Sequence, residues 1–104
     1  MTADTYNGWT NYETWNCALW LDNDYGGYTY WREETIEALR NADGDTLAEK
    51  KENAAYTLSQ SLETYIKDNA PVTTGMYADM LSGALDDINY YEIAEHWLSD
   101  CDAD

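Results

Sequence analysis

Carboxylates are the reactive groups this chain has in quantity: aspartate and glutamate make up 21 of its 104 residues. Three of them, Asp22, Asp24 and Glu33, have a spacing with ligand logic. Counting Asp22 as the first position, Asp24 is the third, Gly27 the sixth and Glu33 the twelfth. Calcium-binding helix–loop–helix sites use early carboxylates, a glycine for the sharp turn and a final bidentate Glu in this pattern. The match is partial: Gly26 offers no side-chain oxygen at the fifth position, and Thr29 stands where an apolar residue belongs. A plain glycine-rich turn between two helices competes with a calcium loop.

Other chemistry finds less support. His96 is the only histidine, and no nucleophile is paired with it in sequence. Cys17 and Cys101 lie far apart without metal-ligand spacing; they read as two reduced, partly buried thiols, with a disulfide between the first and last helices as the alternative. There is no glycine-rich phosphate loop, no nucleophile elbow and no Cys/His cluster. General acid–base catalysis needs a carboxyl group of raised pKa in a pocket, and no pair of residues marks one. The expectation is a non-enzymatic protein without a metal or cofactor.

Charge is the dominant property. Five bases (Arg32, Arg40, Lys50, Lys51 and Lys67) face the 21 acids, for a net charge of −16. From Asp68 to Asp104 there are nine acids and no base, a local charge of −9. Such a chain repels nucleic acids and anionic membranes and attracts basic surfaces. No apolar run approaches the roughly 20 residues of a membrane span, and the N-terminus MTADTYNG reads as no secretory signal. The expected setting is the cytoplasm.

The elements that must position these acids read as helical throughout, predicting an all-α single domain of about five helices over 9–104 behind a flexible stretch 1–8. Thr10-Asn-Tyr-Glu13 has capping-box form and starts a helix over 11–22, with Tyr12, Trp15 and Leu19 on its buried side. Gly26-Gly27 breaks the chain, and Thr29 caps a second helix over 30–41. Asp45 caps a long third helix over 46–69, with a stripe through Leu47, Ala54, Ala55, Leu58, Leu62, Tyr65 and Ile66, and Glu63 paired to Lys67. Pro71 ends it. A fourth helix over 75–87 buries Met76, Tyr77, Met80, Leu81, Ala84 and Leu85. The last, over 90–101, starts at Asn89-Tyr-Tyr-Glu92 and buries Tyr90, Ile93, Ala94, Trp97, Leu98 and Cys101.

Five Trp and ten Tyr, with no Phe, supply large apolar area, and their place on helix stripes assigns them to the core rather than to base stacking. The acids are placed less comfortably. Asp22 and Asp24 end the first helix, Asp86 and Asp87 the fourth, and Asp100, Asp102 and Asp104 the fifth, all against the helix macrodipole. Asp86, Asp87, Glu92, Glu95, Asp100 and Asp102 form the expected partner-binding surface, with Asp22 and Asp24 as a second patch. Duplex DNA carries one negative charge per about 1.7 Å of axis, so sixteen net charges correspond to roughly 27 Å of duplex. Carboxylates one helical turn apart are spaced like neighbouring phosphates. A base-poor surface also arises from adaptation to high salt, without any partner.

Residues 9–24, WTNYETWNCALWLDND, resemble a W-x-N-Y-E-T-W-N-x-A-L-W-[IL]-D-N-D signature of small proteins encoded by bacterial and archaeal viruses, plasmids and some haloarchaea. Cys17 stands where an aliphatic residue is usual. The resemblance carries no catalytic residue; it implies a mobile-element setting, in which small acidic proteins inhibit host defence by imitating nucleic acid. The expectation is therefore an anti-restriction or anti-CRISPR DNA mimic. Its partner would be a basic nucleic-acid-binding host protein, with no direct nucleic-acid or membrane binding. The alternatives are a helical protein–protein interaction module whose acidity serves solubility, and the calcium-binding helix–loop–helix.

Overall fold

The computed structural model describes residues 5–71 and 74–101, with only the backbone of Tyr25. Five helices follow one another: α1 Tyr12–Asn23, α2 Tyr25–Asn41, α3 Leu47–Asp68, α4 Met76–Asp87 and α5 Tyr90–Ser99. No strand occurs among the described residues, so the expected all-α single domain is what the chain forms. α3 and α5 make the central pair, α2 packs on both, α1 lies across α2, α4 and α5, and α4 sits at the edge against α1.

The core forms where the apolar stripes of three helices meet. Leu58 and Leu62 of α3 face Ile93, Ala94 and Leu98 of α5, with Trp31 and Leu39 from α2 and Ala18 from α1 closing the cluster. Small residues (Ala54, Ala55 and Ala94, at most 1% exposed) bring the backbones close, while Leu62 and Ile93 are wholly buried. The stripes expected on α3 and α5 are thus the core, although Leu47 and Tyr65 remain exposed.

Side-chain caps set the starts of α1, α3 and α5, not all at the residues expected, while α2 and α4 start without one. Asn11, not Thr10, caps α1 by accepting from the Thr14 N–H, and the amide of Thr10 donates instead to Glu92 Oε1 at 3.0 Å. Thr46, not Asp45, caps α3: its hydroxyl accepts from the Glu49 N–H, while Glu49 Oε1 accepts from the Asp45 N–H at 2.8 Å. Asn89 caps α5 as expected, accepting from the Glu92 N–H. The Lys67–Glu63 pair also forms, at 2.8 Å.

Residues 1–4 of the stretch expected to be flexible lie outside the described residues. Beyond them, Tyr6 and Trp9 exchange two backbone hydrogen bonds around Asn7-Gly8, whose φ values of 50° and 90° suit the Asn-Gly dipeptide in a tight turn. That turn lays Tyr6 against Tyr12 and Trp15, at centroid distances of 5.2 and 5.0 Å. Three expectations fail for identifiable reasons. On α1 the buried face is Thr14 and Ala18 rather than Tyr12 and Leu19, which stay exposed beside Trp20 at 71%. Both assignments obey a helical period; the neighbours choose between them. On α4, Met76, Tyr77 and Met80 are 64–71% exposed because no helix covers that side.

The third concerns Gly26-Gly27, which lies inside α2 rather than in a loop. Asp24 alone joins the helices: its N–H donates to Trp20 O, closing α1, and its carbonyl accepts from the Tyr28 N–H at 2.6 Å, opening α2. A Cβ on Gly26 would meet nothing within 4 Å. Gly26→Ala should therefore raise stability by about 0.5–1 kcal/mol, by restricting the unfolded chain in a conformation alanine favours. A denaturation midpoint that falls would contradict a helical Gly26.

Candidate functional site

Helical phasing and short connections decide where the carboxylates gather. The one-residue joint at Asp24 turns α1 so that Asp22 comes up beside α5. There Asp22 Oδ1 accepts a hydrogen bond from the Trp97 indole at 3.3 Å. Asp22 and Asp100, distant in sequence, line one hollow with Tyr28, Trp31, Arg32 and Trp97. Its floor is the Trp31–Trp97 stack, with ring centroids 5.8 Å apart and planes 24° apart. The hollow holds about 50 Å³, far below the roughly 300 Å³ at which small-molecule sites begin. It has room for a water or two and none for a substrate.

Glu92 and Glu95 project from α5 on the side facing residues 7–9. They line a shallow depression with Trp9 and His96, whose rings lie 5.0 Å apart. Glu92 is half-buried and holds the Thr10 amide, a structural task beside any role at the surface. Glu95 is exposed and also flanks the groove between α3 and α5, where Glu49 and Glu52 face it with Lys51. Sequence reading missed that Glu49 and Glu52 join Glu95; their i,i+3 spacing was visible, but their apposition to α5 was not.

Asp86 and Asp87 end α4 at the start of α5. Lys67 ties Asp86 down at 2.9 Å, and the Asp87 carbonyl accepts from the Asn11 side chain at 2.7 Å, leaving the Asp87 carboxylate in solvent. The two charge partners Glu63 and Asp86 drive the Lys67 pKa upward, keeping it cationic. Asp102 lies outside the described residues.

The short connections also change the meaning of acids at helix ends. Asp24 closes α1 but stands at the N-terminus of α2, where negative charge is favoured. Asp87 stands two residues before the cap of α5, so it too meets a positive helix end. Dipole opposition therefore accounts for fewer of these acids than the sequence suggests; Asp22 and Asp100 retain it.

The calcium arrangement is not formed. A loop of about 12 residues has to wrap the ion, whereas Glu33 lies two turns inside α2 and Asp24 is a single-residue joint. Among the described residues no group of three or more Asp, Glu, His or Cys side chains is placed to hold a metal. Cys17 and Cys101 are unbridged and half-buried. Burial pushes the Cys17 thiol up to about 11, so it stays protonated at neutral pH and is a poor nucleophile.

What remains is a surface of carboxylates with few cations to balance them. Among the described residues the ion pairs are Arg40–Glu37, Lys67–Glu63 and Lys67–Asp86. The aromatics are also less internal than their stripes suggest: Trp31 and Tyr90 are buried, while Tyr6, Tyr12, Trp20, Tyr28, Tyr30, Tyr56, Tyr65 and Tyr77 are exposed.

Fold and surface together define a small, strongly acidic five-helix protein, and no helix among its described residues is long and apolar enough to cross a membrane. The chain belongs to DUF7249, a family of unknown function whose model matches residues 2–97. No curated protein and no solved structure matches it.

Proposed function

We propose that this protein is a non-enzymatic inhibitor of a host defence nuclease or CRISPR effector, acting by occupying that enzyme's basic nucleic-acid-binding surface. The observation that carries this reading is the uncompensated charge: −16 in net, with only Glu37, Glu63 and Asp86 in ion pairs among the described residues. Helices hold these carboxylates at fixed spacing, so presenting them costs little further ordering. Association with a basic surface would be fast and strongly salt-dependent. The mobile-element setting implied by residues 9–24 points the same way.

The acids that serve this role are those free of structural work, namely Asp87, Glu95 and Asp100, with Glu52 across the groove. Purified protein should displace labelled duplex DNA from a host restriction endonuclease or CRISPR effector at low salt and lose that ability as salt rises. The variant Asp87→Lys/Glu95→Lys/Asp100→Lys should abolish displacement while helicity, read by circular dichroism, is kept. Undiminished displacement by this variant would sink the reading.

A second reading has its own support. Trp20, Met76, Tyr77 and Met80 are each at least 64% exposed, which suits a helical interaction module whose charge serves solubility. Binding by such a module would persist at high salt.

A further inference from the structure

Alpha-helix 4 is the one helix with no buried residue. Its inner side, through Ala78, Leu81 and Leu85, only half closes against the end of α3 and leaves an open groove with Ala70 and Pro71. Its outer side carries Met76, Tyr77 and Met80 at 65%, 71% and 64% exposure. With 3.6 residues per turn, Tyr77 falls between the Met76–Met80 row and the Leu81–Leu85 row, so the apolar surface is continuous around more than half the helix. Methionine is flexible and polarisable, and exposed methionines beside an aromatic ring adapt to varied apolar surfaces. Three large side chains left mostly in water in so small a domain mark an interaction surface.

Charge selects the occupant. Asp79, Asp86 and Asp87 flank this surface on the same helix, and no base occurs from residue 68 onward. The nearest cation, Lys67, is already bound by Glu63 and Asp86. A second copy of the chain would bring its own −16 and set like acids against these three. A helix with one apolar face and lysine or arginine along its edges would satisfy both features: its apolar side covers Met76, Tyr77 and Met80, and its bases meet Asp79 and Asp87.

We infer that α4 is a docking site for a basic amphipathic helix of the partner, the apolar anchor of an otherwise electrostatic interaction. It rests on the function proposed above only in taking the partner to be basic. The two surfaces share Asp87 and separate experimentally on their other residues, because Met76, Tyr77 and Met80 carry no charge and Glu95 and Asp100 belong to α5 and its end.

The probe is a synthetic leucine–lysine amphipathic helix, with oligolysine and the leucine–glutamate counterpart as controls, titrated by calorimetry at low and high salt. The wild-type protein should bind the leucine–lysine helix, bind oligolysine only at low salt, and ignore the glutamate peptide. Met76→Ser/Tyr77→Ser/Met80→Ser should weaken leucine–lysine binding roughly tenfold or more, with helicity retained because all three side chains are already in water. Asp79→Asn/Asp87→Asn should flatten its salt dependence. Triple-serine binding equal to wild type would overturn the proposal. So would a wild-type dimer that Met80→Glu splits, since the surface would then belong to a second copy. If the triple-serine variant loses the peptide while the Lys-reversed acid variant still displaces DNA, the α4 site stands and the functional reading falls. The converse pair of results leaves the functional reading and removes the α4 site.

Discussion

Trp31→Ala should cost about 3–5 kcal/mol, the range for removing a buried indole from a core. Domains of this size are stable by only about 5–15 kcal/mol, so the denaturation midpoint should fall by a large fraction or the chain should fail to fold. The expectation rests on what Trp31 joins. It is 3% exposed on α2, stacks on Trp97 of α5, and meets Tyr65 of α3 edge-on at 5.4 Å. One side chain thereby links three helices, and truncation leaves a cavity that Trp97 and Tyr65 can refill only by leaving their own contacts. Denaturant unfolding followed by far-UV circular dichroism measures the loss. A change below about 1 kcal/mol would mean that Trp31 is not packed between these rings.

Thr14→Val should cost about 1–3 kcal/mol although it preserves shape, because it takes a buried hydroxyl away from both the Asn89 N–H and Asn11 Oδ1. Thr14 is wholly buried. Its hydroxyl donates to Asn11 Oδ1 at 2.6 Å and accepts from the Asn89 N–H at 2.8 Å. Asn11 and Asn89 are the caps of α1 and α5, so one hydroxyl fastens two helix starts together. Asn11 extends the knot by donating to the Asp87 carbonyl. Thr14→Ser keeps the hydroxyl and should retain more stability than the isosteric Val, an order opposite to that expected if the methyl group mattered most. Equal stability of the Val variant and wild type would remove the knot from the account.

These two residues also explain the stretch around residues 9–24. Asn11 and Thr14 are the polar centre of the helix junction, which gives the two ends of the Asn-Tyr-Glu-Thr run a structural task. Trp15 packs with Tyr6 and Tyr12, while Trp20 projects into solvent. The run therefore divides into a fastening at its start and an exposed aromatic near its end. Nothing in the spacing of its residues distinguishes the two.

The periodicity of α3 and α5 was readable because their stripes are unambiguous: Leu58, Leu62, Ile93, Ala94 and Leu98 recur on one side and have polar residues opposite. The Pro71 stop and the Asn89 cap were readable because each acts through local backbone chemistry. α1 and α4 were not, since both are apolar on more than one side, and a period names the residues that share a face without naming which face meets a neighbour. The Gly26-Gly27 pair misled for a related reason. Glycine permits a turn without requiring one, and here the first turn of α2 runs through both.

The helical class, the central α3–α5 stripe and the charge of −16 are written into the order of residues alone, because each depends on composition or on the pattern within one segment. Helix packing is what makes Asp22 and Asp100 share a hollow, holds Glu92 and Asp86 in structural bonds, and leaves Met76, Tyr77 and Met80 of α4 uncovered. Those outcomes depend on which helices become neighbours, and that is settled by burying Trp31, Leu62 and Ile93 together rather than by any local preference of the residues left outside.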